Sequence, residues 1–261
     1  MTGGGALEFN NPIWTAYIFV IGACVGSFLN VVIYRLPNKE SLIRPGSHCP
    51  SCGNNIRFFH NIPIIGYFLL TGKCADCREP ISARYPLVEF LTALLFTASL
   101  YKFGLTPTGF VYMAFCSALI AVTFIDLDHF IIPNSITLPG IIIGLLLAWL
   151  VLPVPINSAL LGAGIGGGLF WILAMIVPHG MGGGDIKLMA MIGSFIGLKG
   201  TLFTIFLGSL FGSIIGIIGI VMFGKSRKSQ IPFGPFLAAG GLMALFWEEQ
   251  LTRLYVDIFV R

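Results

Sequence analysis

The sequence predicts an all-α membrane protein of seven or eight transmembrane helices, with a small cytoplasmic zinc-binding domain inserted after the first helix. Three observations predict it. Only 10% of the 261 residues are charged and 56% are hydrophobic, with a mean hydropathy of +0.91, whereas soluble domains carry about 25% charged residues. The apolar residues come in runs of about 20, the length of helix that crosses the hydrocarbon core. Four of the six cysteines fall in the one long polar segment, in two tight pairs. A soluble globular domain is excluded. So is a transmembrane barrel, whose strands would be shorter and alternating.

The first apolar run, 13–33, lacks a basic flank before it and is followed by many more spans, so it reads as a retained first helix and not a cleaved signal. Further spans are expected at 86–104, 108–126, 137–152, 157–177, 186–198, 201–223 and 233–250. The short 186–198 run leaves the count at seven or eight. The Gly-rich stretch Gly162-Ala-Gly-Ile-Gly-Gly-Gly168 reads as a face that lets helices approach closely. It lacks the Lys-Ser/Thr and the strand context of a phosphate loop. Domain boundaries are expected at 1–34 for the first helix, 35–85 for the polar module and 86–261 for a polytopic domain.

Basic residues set the orientation. Arg35, Lys39, Arg44, Arg57, Lys73, Arg78 and Arg84 lie in or next to the polar module. Lys225, Arg227 and Lys228 lie before the last span. With Lys187 these make 11 of the 15 basic residues. The positive-inside rule places those segments in the cytoplasm. Threading the spans then brings 126–134 and 178–187 to the same face. The net charge of +4 is a topology signal, and no nucleic-acid partner is expected.

The module reads His48-Cys49-Pro50-Ser51-Cys52 and Cys74-Ala75-Asp76-Cys77. Two C-x2-C pairs supply four thiolates, a set that suits closed, structural zinc. Disulfides are the competing reading, and a reducing cytoplasm argues against them. A segment this short needs such a staple. His48 and His60 read as loop histidines, and Cys24 and Cys116 as buried small hydrophobes.

Two carboxylates stand at the ends of apolar runs, where an ionisable group is a functional candidate. Asp126 lies in Phe124-Ile-Asp-Leu-Asp-His129, and Asp185 follows Gly182, Gly183 and Gly184. Two carboxylates at one site can share a proton, one activating water while the other donates to a carbonyl oxygen. The glycines would let a substrate backbone approach. The competing readings are a helix N-cap at Asp185 and a solvated turn at Asp126 and Asp128. Asp126 and Asp128 point to nearly opposite sides of a helix, so only one can face Asp185. His129 and His179 read as interfacial polar residues. A transporter that relays protons through the two aspartates is the alternative function, and a membrane-anchored zinc scaffold is a third.

At these residues the chain resembles the bacterial type IV prepilin peptidases, leader peptidase/N-methyltransferases of the GxGD aspartic class. The resemblance rests on Gly26-Ser-Phe-Leu-Asn30 through Pro37, the two Cys pairs with Asn61-Ile-Pro63 between them, and Ile81 through Glu89. It continues with Asp126 and Ile132-Pro133, and ends at Gly182-x-Gly-Asp185. Asn134 stands where Asp is also common. The resemblance implies cleavage of a prepilin or pseudopilin leader in the bacterial inner membrane, at the cytoplasmic face. It also implies methylation of the new N-terminal amine with S-adenosylmethionine as donor. It implies Asp126 and Asp185 as the catalytic pair, with Asp128 and Lys187 supporting. For the methylation side it implies Gly26, Asn30, Arg35 and Glu89.

Overall fold

The computed structural model describes residues 12–176, 181–223 and 231–259. Its helices are α1 (Pro12–Arg35), α2 (Ile65–Leu69), α3 (Arg84–Phe103), α4 (Pro107–His129), α5 (Asn134–Leu150), α6 (Ile156–Ile176), α7 (Gly183–Phe223) and α8 (Gly234–Phe259). Five of these, α1, α3, α4, α6 and α7, are long and apolar enough to cross a membrane, and α5 is a shorter apolar helix. No β-strand occurs among the described residues, only two isolated bridges. The chain is a multi-pass membrane protein. His179 and the Lys225, Arg227 and Lys228 cluster lie outside the described residues.

Gly197 resolves the question of seven or eight spans. Its φ of 71° and ψ of −174° break α7 into two helices that run on without a loop. That backbone favours glycine, and a Cβ there would sit 2.7 Å from Ser158 Oγ and 2.8 Å from Val154 Cγ1. The Leu198 N–H left without a helical partner donates to Ser158 Oγ at 3.0 Å. The two halves of α7 correspond to the expected 186–198 and 201–223 runs. With α8 there are then eight segments.

The chain forms two compact units, Met1–Ala121 and Val122–Arg261. In the first, α1 and α3 pack antiparallel through glycine. A Cβ on Gly22 would lie 2.7 Å from Ala93 Cα, and one on Gly26 would lie 2.6 Å from Glu89 Cα. One turn further, Asn30 Nδ2 donates to the Tyr85 carbonyl at 3.1 Å. Ile18, Phe96, Leu100 and Met113 form the apolar core at the far end of this pair. Small residues let backbones meet where lipid offers helices no hydrophobic reason to associate. Gly22 and Gly26 form a G-x-x-x-G pair that the sequence reading passed over.

In the second unit the same device recurs. A Cβ on Gly162 would fall 2.7 Å from the Gly193 carbonyl oxygen, and one on Gly166 2.9 Å from that of Met189. This is the close face expected of 162–168, although Gly164 and Gly168 meet nothing. A Cβ on Gly240 would lie 2.8 Å from the Thr204 carbonyl, which brings α8 onto the second half of α7. Buried hydroxyls are satisfied within their own helices, as in Thr201 to Gly197 O at 2.7 Å and Thr204 to Gly200 O at 2.8 Å. Hydrocarbon offers such groups no other partner.

Candidate active site and cysteine module

The α4 helix extends one turn past the apolar run. Hydropathy alone places its end at Asp126, but hydrogen bonding continues to His129. It stops at Phe130, whose φ is 55° and whose N–H donates to the Asp126 carbonyl at 2.9 Å. A left-handed residue just past a helix is a common stop. Asp126 therefore sits on the last turn and faces inward at 5% exposure, while Asp128 is exposed. The two aspartates do point to different sides.

Asp126 Oδ2 accepts the Gly234 N–H at 2.9 Å, at the first residue of α8. Asp185 Oδ2 accepts the Gly182 N–H at 3.2 Å, just before the first residue of α7. Asp185 is thus not the N-cap. It occupies the third helical position and reaches back to the capping residue, one half of a capping box. Both carboxylates hang from the N-terminal end of a helix, where the macrodipole favours negative charge. Each uses one oxygen for this anchor. The other oxygen of each has no hydrogen-bond partner among the described residues. Asp185 is 8% exposed, and both carboxylates flank one side chain, Ile132, which meets Gly184 beside Asp185 and Gly234 beside Asp126.

Ile132 is the wedge that spaces them. A Cβ on Gly184 would lie 2.8 Å from Ile132 Cβ, and one on Gly234 would lie 3.1 Å from Ile132 Cδ1 and 2.6 Å from Asp126 Oδ2. The head of each anchoring helix therefore has to be glycine at the point that meets this side chain. Gly234 is a site residue that the sequence reading missed. Its only local signal is Gly-Pro at a helix start, which is common. Lys187 Nζ donates to Asn134 Oδ1 at 2.8 Å and ties the second turn of α7 to the start of α5.

In the other unit, residues 36–83 have only Cys49 and Gly66 buried, too little for an apolar core. The two cysteine pairs form matching knuckles. The Cys49 N–H donates to Asn54 O at 2.9 Å and Gly53 N–H to Cys49 O at 2.9 Å. The Cys74 N–H donates to Glu79 O at 2.8 Å and Arg78 N–H to Cys74 O at 3.1 Å. Gly53 and Arg78 take the same left-handed φ, 73° and 63°. The sulfurs of Cys49, Cys52, Cys74 and Cys77 all lie within 4.8 Å of one another, with none in a disulfide. Cys49 and Cys77 Sγ are 3.8 Å apart, and tetrahedral zinc with Zn–S bonds of about 2.3 Å sets sulfurs about 3.8 Å apart. The cluster can hold zinc. Backbone N–H groups of Cys52 and Ser51 bring the Cys49 thiol down to about 6. At Cys77 the Glu79 N–H favours the thiolate, but lost water and the thiols of Cys74, Cys52 and Cys49 outweigh it and push it up to about 12. Four thiolates need a cation among them. His48 stays out of the cluster, with Nδ1 3.0 Å from the Gly46 carbonyl.

The residues implied for methylation lie together between α1, α3 and this module. Gly26 packs on Glu89. Glu89 is 8% exposed and its Oε2 accepts the Ile64 N–H at 2.6 Å. Ile64 has φ 64° and ψ −57°, and the Ile65 N–H closes onto Pro63 O at 2.6 Å. This is the strained form of γ-turn, on a β-branched residue that costs about 1–3 kcal/mol there. Asn30 is 5% exposed; its amide nitrogen serves Tyr85, which leaves Oδ1 buried with no partner. Arg35 donates to Ser41 O at 3.0 Å and Gly46 O at 3.3 Å, bracing the start of the module.

Comparison with known proteins bears on the whole chain. Residues 20–103 match the bacterial peptidase A24 N-terminal domain, and residues 113–217 match the type IV leader peptidase family. Relatives that bear the name prepilin leader peptidase/N-methyltransferase include those of three bacteria. That of Pseudomonas aeruginosa is 37% identical over 91% of this chain and 92% of its own. That of Myxococcus xanthus is 38% identical over 87% of this chain and 69% of its own. That of Xanthomonas campestris pv. campestris is 36% identical over 90% of this chain and 92% of its own. No solved structure matches. With both domain models matched in order and full-length relatives above 30% identity, the chain belongs to the prepilin leader peptidase/N-methyltransferase family.

Proposed function

We propose that this enzyme cleaves prepilin leaders with Asp126 and Asp185 as its catalytic pair, and that it methylates the new N-terminus through the unit that carries Glu89. The observation that carries the first reading is the symmetry of the pair: two buried carboxylates flanking Ile132, each anchored by one oxygen to a backbone N–H and each with the other oxygen left for chemistry. Like charges that share one site cannot both ionise cheaply, and such a pair holds one proton. The ionised member takes a proton from water as its oxygen attacks the scissile carbonyl carbon. The protonated member donates to the carbonyl oxygen, and collapse breaks the C–N bond as the amine takes up a proton. Which member plays which role belongs to the pair and not to one residue. The comparisons give no support to a proton-relaying transporter.

For methylation, S-adenosylmethionine supplies the methyl group when bound. Asn30 Oδ1 and the Glu89 carboxylate offer buried acceptors to an amine, and Gly26 and Arg35 support them by packing and by bracing the loop. The amine must lose a proton as its lone pair forms the new C–N bond, and the Glu89 carboxylate can take it. Zinc held by Cys49, Cys52, Cys74 and Cys77 fits as a structural cross-link, and no step of either reaction passes through a closed four-sulfur site. The charge asymmetry of the loops supports a position of the module and both reactions at the cytoplasmic face of the bacterial inner membrane. Substrates are prepilins or pseudopilins.

The test is a mass measurement on a prepilin incubated with purified enzyme and S-adenosylmethionine, which separates loss of the leader from gain of one methyl. Asp126→Asn and Asp185→Asn are each expected to abolish leader loss while still methylating a product already cut. Retained cleavage in either variant would sink the pair.

A further inference from the structure

The polar module carries an apolar surface that zinc binding and catalysis do not use. Phe58 and Phe59 stack edge to face on a short turn and are 81% and 72% exposed. On α2, Ile65, Phe68 and Leu69 are 55%, 68% and 67% exposed. The hydrogen bond from the Ile64 N–H to Glu89 fixes the height of this surface. Glu89 is five residues into α3, about 7 Å along the helix from its first residue. At that height α3 turns Leu87 and Phe90 outward, the pattern of a lipid-facing helix. The start of α2 therefore lies close to the level of these outward-facing residues of a spanning helix. The γ-turn at Ile64 has its N–H held by a protein carboxylate, as membrane depth requires.

Charge indicates what covers the surface. Arg57 and Lys73 are exposed at either end of this stretch of chain, while Lys39, Arg44 and Arg78 are offset elsewhere on the module by Glu40, Asp76, Glu79 and the negative charge of a zinc tetrathiolate. Arg57 immediately precedes Phe58, and its ion pair with Asp76 at 3.5 Å links the aromatic turn to the second knuckle. Apolar and aromatic side chains with flanking cations are how a protein segment lies in a headgroup boundary and attracts anionic lipid. We propose that residues 58–70 are an interfacial anchor, seated among the headgroups and upper acyl chains of anionic phospholipid, which holds the cysteine module flat against the membrane. This rests on the spanning reading of α3 and on the module's own surface, and stands whether or not the aspartate assignment does.

The experiment places the photoreactive residue benzoylphenylalanine in the full-length enzyme at Phe58 or, separately, at Phe68. The protein is held in nanodiscs containing phosphatidylglycerol, and adducts are read by mass spectrometry. Leu94, exposed on α3, is the lipid-facing control, and Glu79, exposed on the second knuckle, is the water-facing one. The expected result is phospholipid adduct at 58 and 68 at a yield like that at 94 and at least tenfold above that at 79. Replacing phosphatidylglycerol by phosphatidylcholine is expected to lower the yield at 58 several-fold and leave 94 unchanged. Equal labelling at 79, no lipid adduct at both 58 and 68, or adducts there only to prepilin or to a second copy of the enzyme would overturn the proposal. An unchanged yield at 58 in phosphatidylcholine would overturn its anionic component.

Discussion

Replacing Gly234 by alanine tests whether the geometry around Asp126 matters to the chemistry. A Cβ there would lie 2.6 Å from Asp126 Oδ2 and 3.1 Å from Ile132 Cδ1. Restoring ordinary contact to the carboxylate takes a retreat of roughly 0.8 Å. The retreat cannot be shared freely, because the Gly234 N–H pulls the same oxygen inward at 2.9 Å and Ile132 closes the other side. A displacement near 1 Å in a catalytic group costs about 100-fold in rate. Gly234→Ala should therefore lower kcat for leader cleavage by about two orders of magnitude with little change in KM, since no substrate contact is removed. Gly183, which meets nothing within 4 Å, is the matched control, and Gly183→Ala should retain cleavage within a few-fold. Initial rates on a purified prepilin, followed by the mass of the mature chain, give both constants. Wild-type rates in Gly234→Ala, or equal losses in the two variants, would refute the steric argument.

Other consequences are open to direct measurement. Gly26→Ala places a methyl 2.6 Å from Glu89 Cα, which backbone must yield to, so it should destabilise the α1–α3 pair by about 1–3 kcal/mol; thermal unfolding in detergent reads this. Glu89→Gln should lower methylation at least tenfold while leaving cleavage intact, and equal methylation rates on a pre-cut substrate would count against the acceptor role. Metal analysis should return about one zinc per chain at neutral pH, lost in Cys49→Ser or Cys74→Ser. Acidification should release that zinc, because protons compete for the thiolates. A metal-free preparation with full stability would contradict the cross-link.

How much of this was legible in the sequence depends on the range of the interaction. Hydropathy runs, the two C-x2-C pairs and the positions of Asp126 and Asp185 are local patterns, and the helices and the sulfur cluster follow them. The end of α4 lies one turn beyond the apolar span because a charged residue ends an apolar run but does not end a helix; the left-handed Phe130 does. The break at Gly197 was half visible as a short run, yet its physical cause, Ser158 capping a freed N–H from another helix, cannot be read along one segment. The roles of Ile132 and Gly234 were hidden for the same reason. They exist only because residues distant in the chain meet around Asp126. The polar module shows the opposite failure. Its charges and cysteines drew attention away from Phe58, Phe59 and Phe68, whose exposure becomes informative only once Glu89 fixes their height.

Glycine does related work in both units, and the consequence differs with what it faces. Gly22 and Gly26 let α3 lie against α1, so that a carboxylate on α3 is carried down to the loop that Ile64 anchors. Gly184 and Gly234 instead clear space around one isoleucine, so that two helix heads and two carboxylates can share a small volume. In the first case a larger residue would push the helices apart and is felt as lost stability. In the second it would leave the helices standing and shift an oxygen by less than an ångström, and is felt as lost rate. Comparing Gly26→Ala with Gly234→Ala in both unfolding and cleavage thus separates scaffold from chemistry within one protein. The crossed result, with Gly26→Ala slowing cleavage at full stability and Gly234→Ala unfolding at full rate, is what this division of roles forbids.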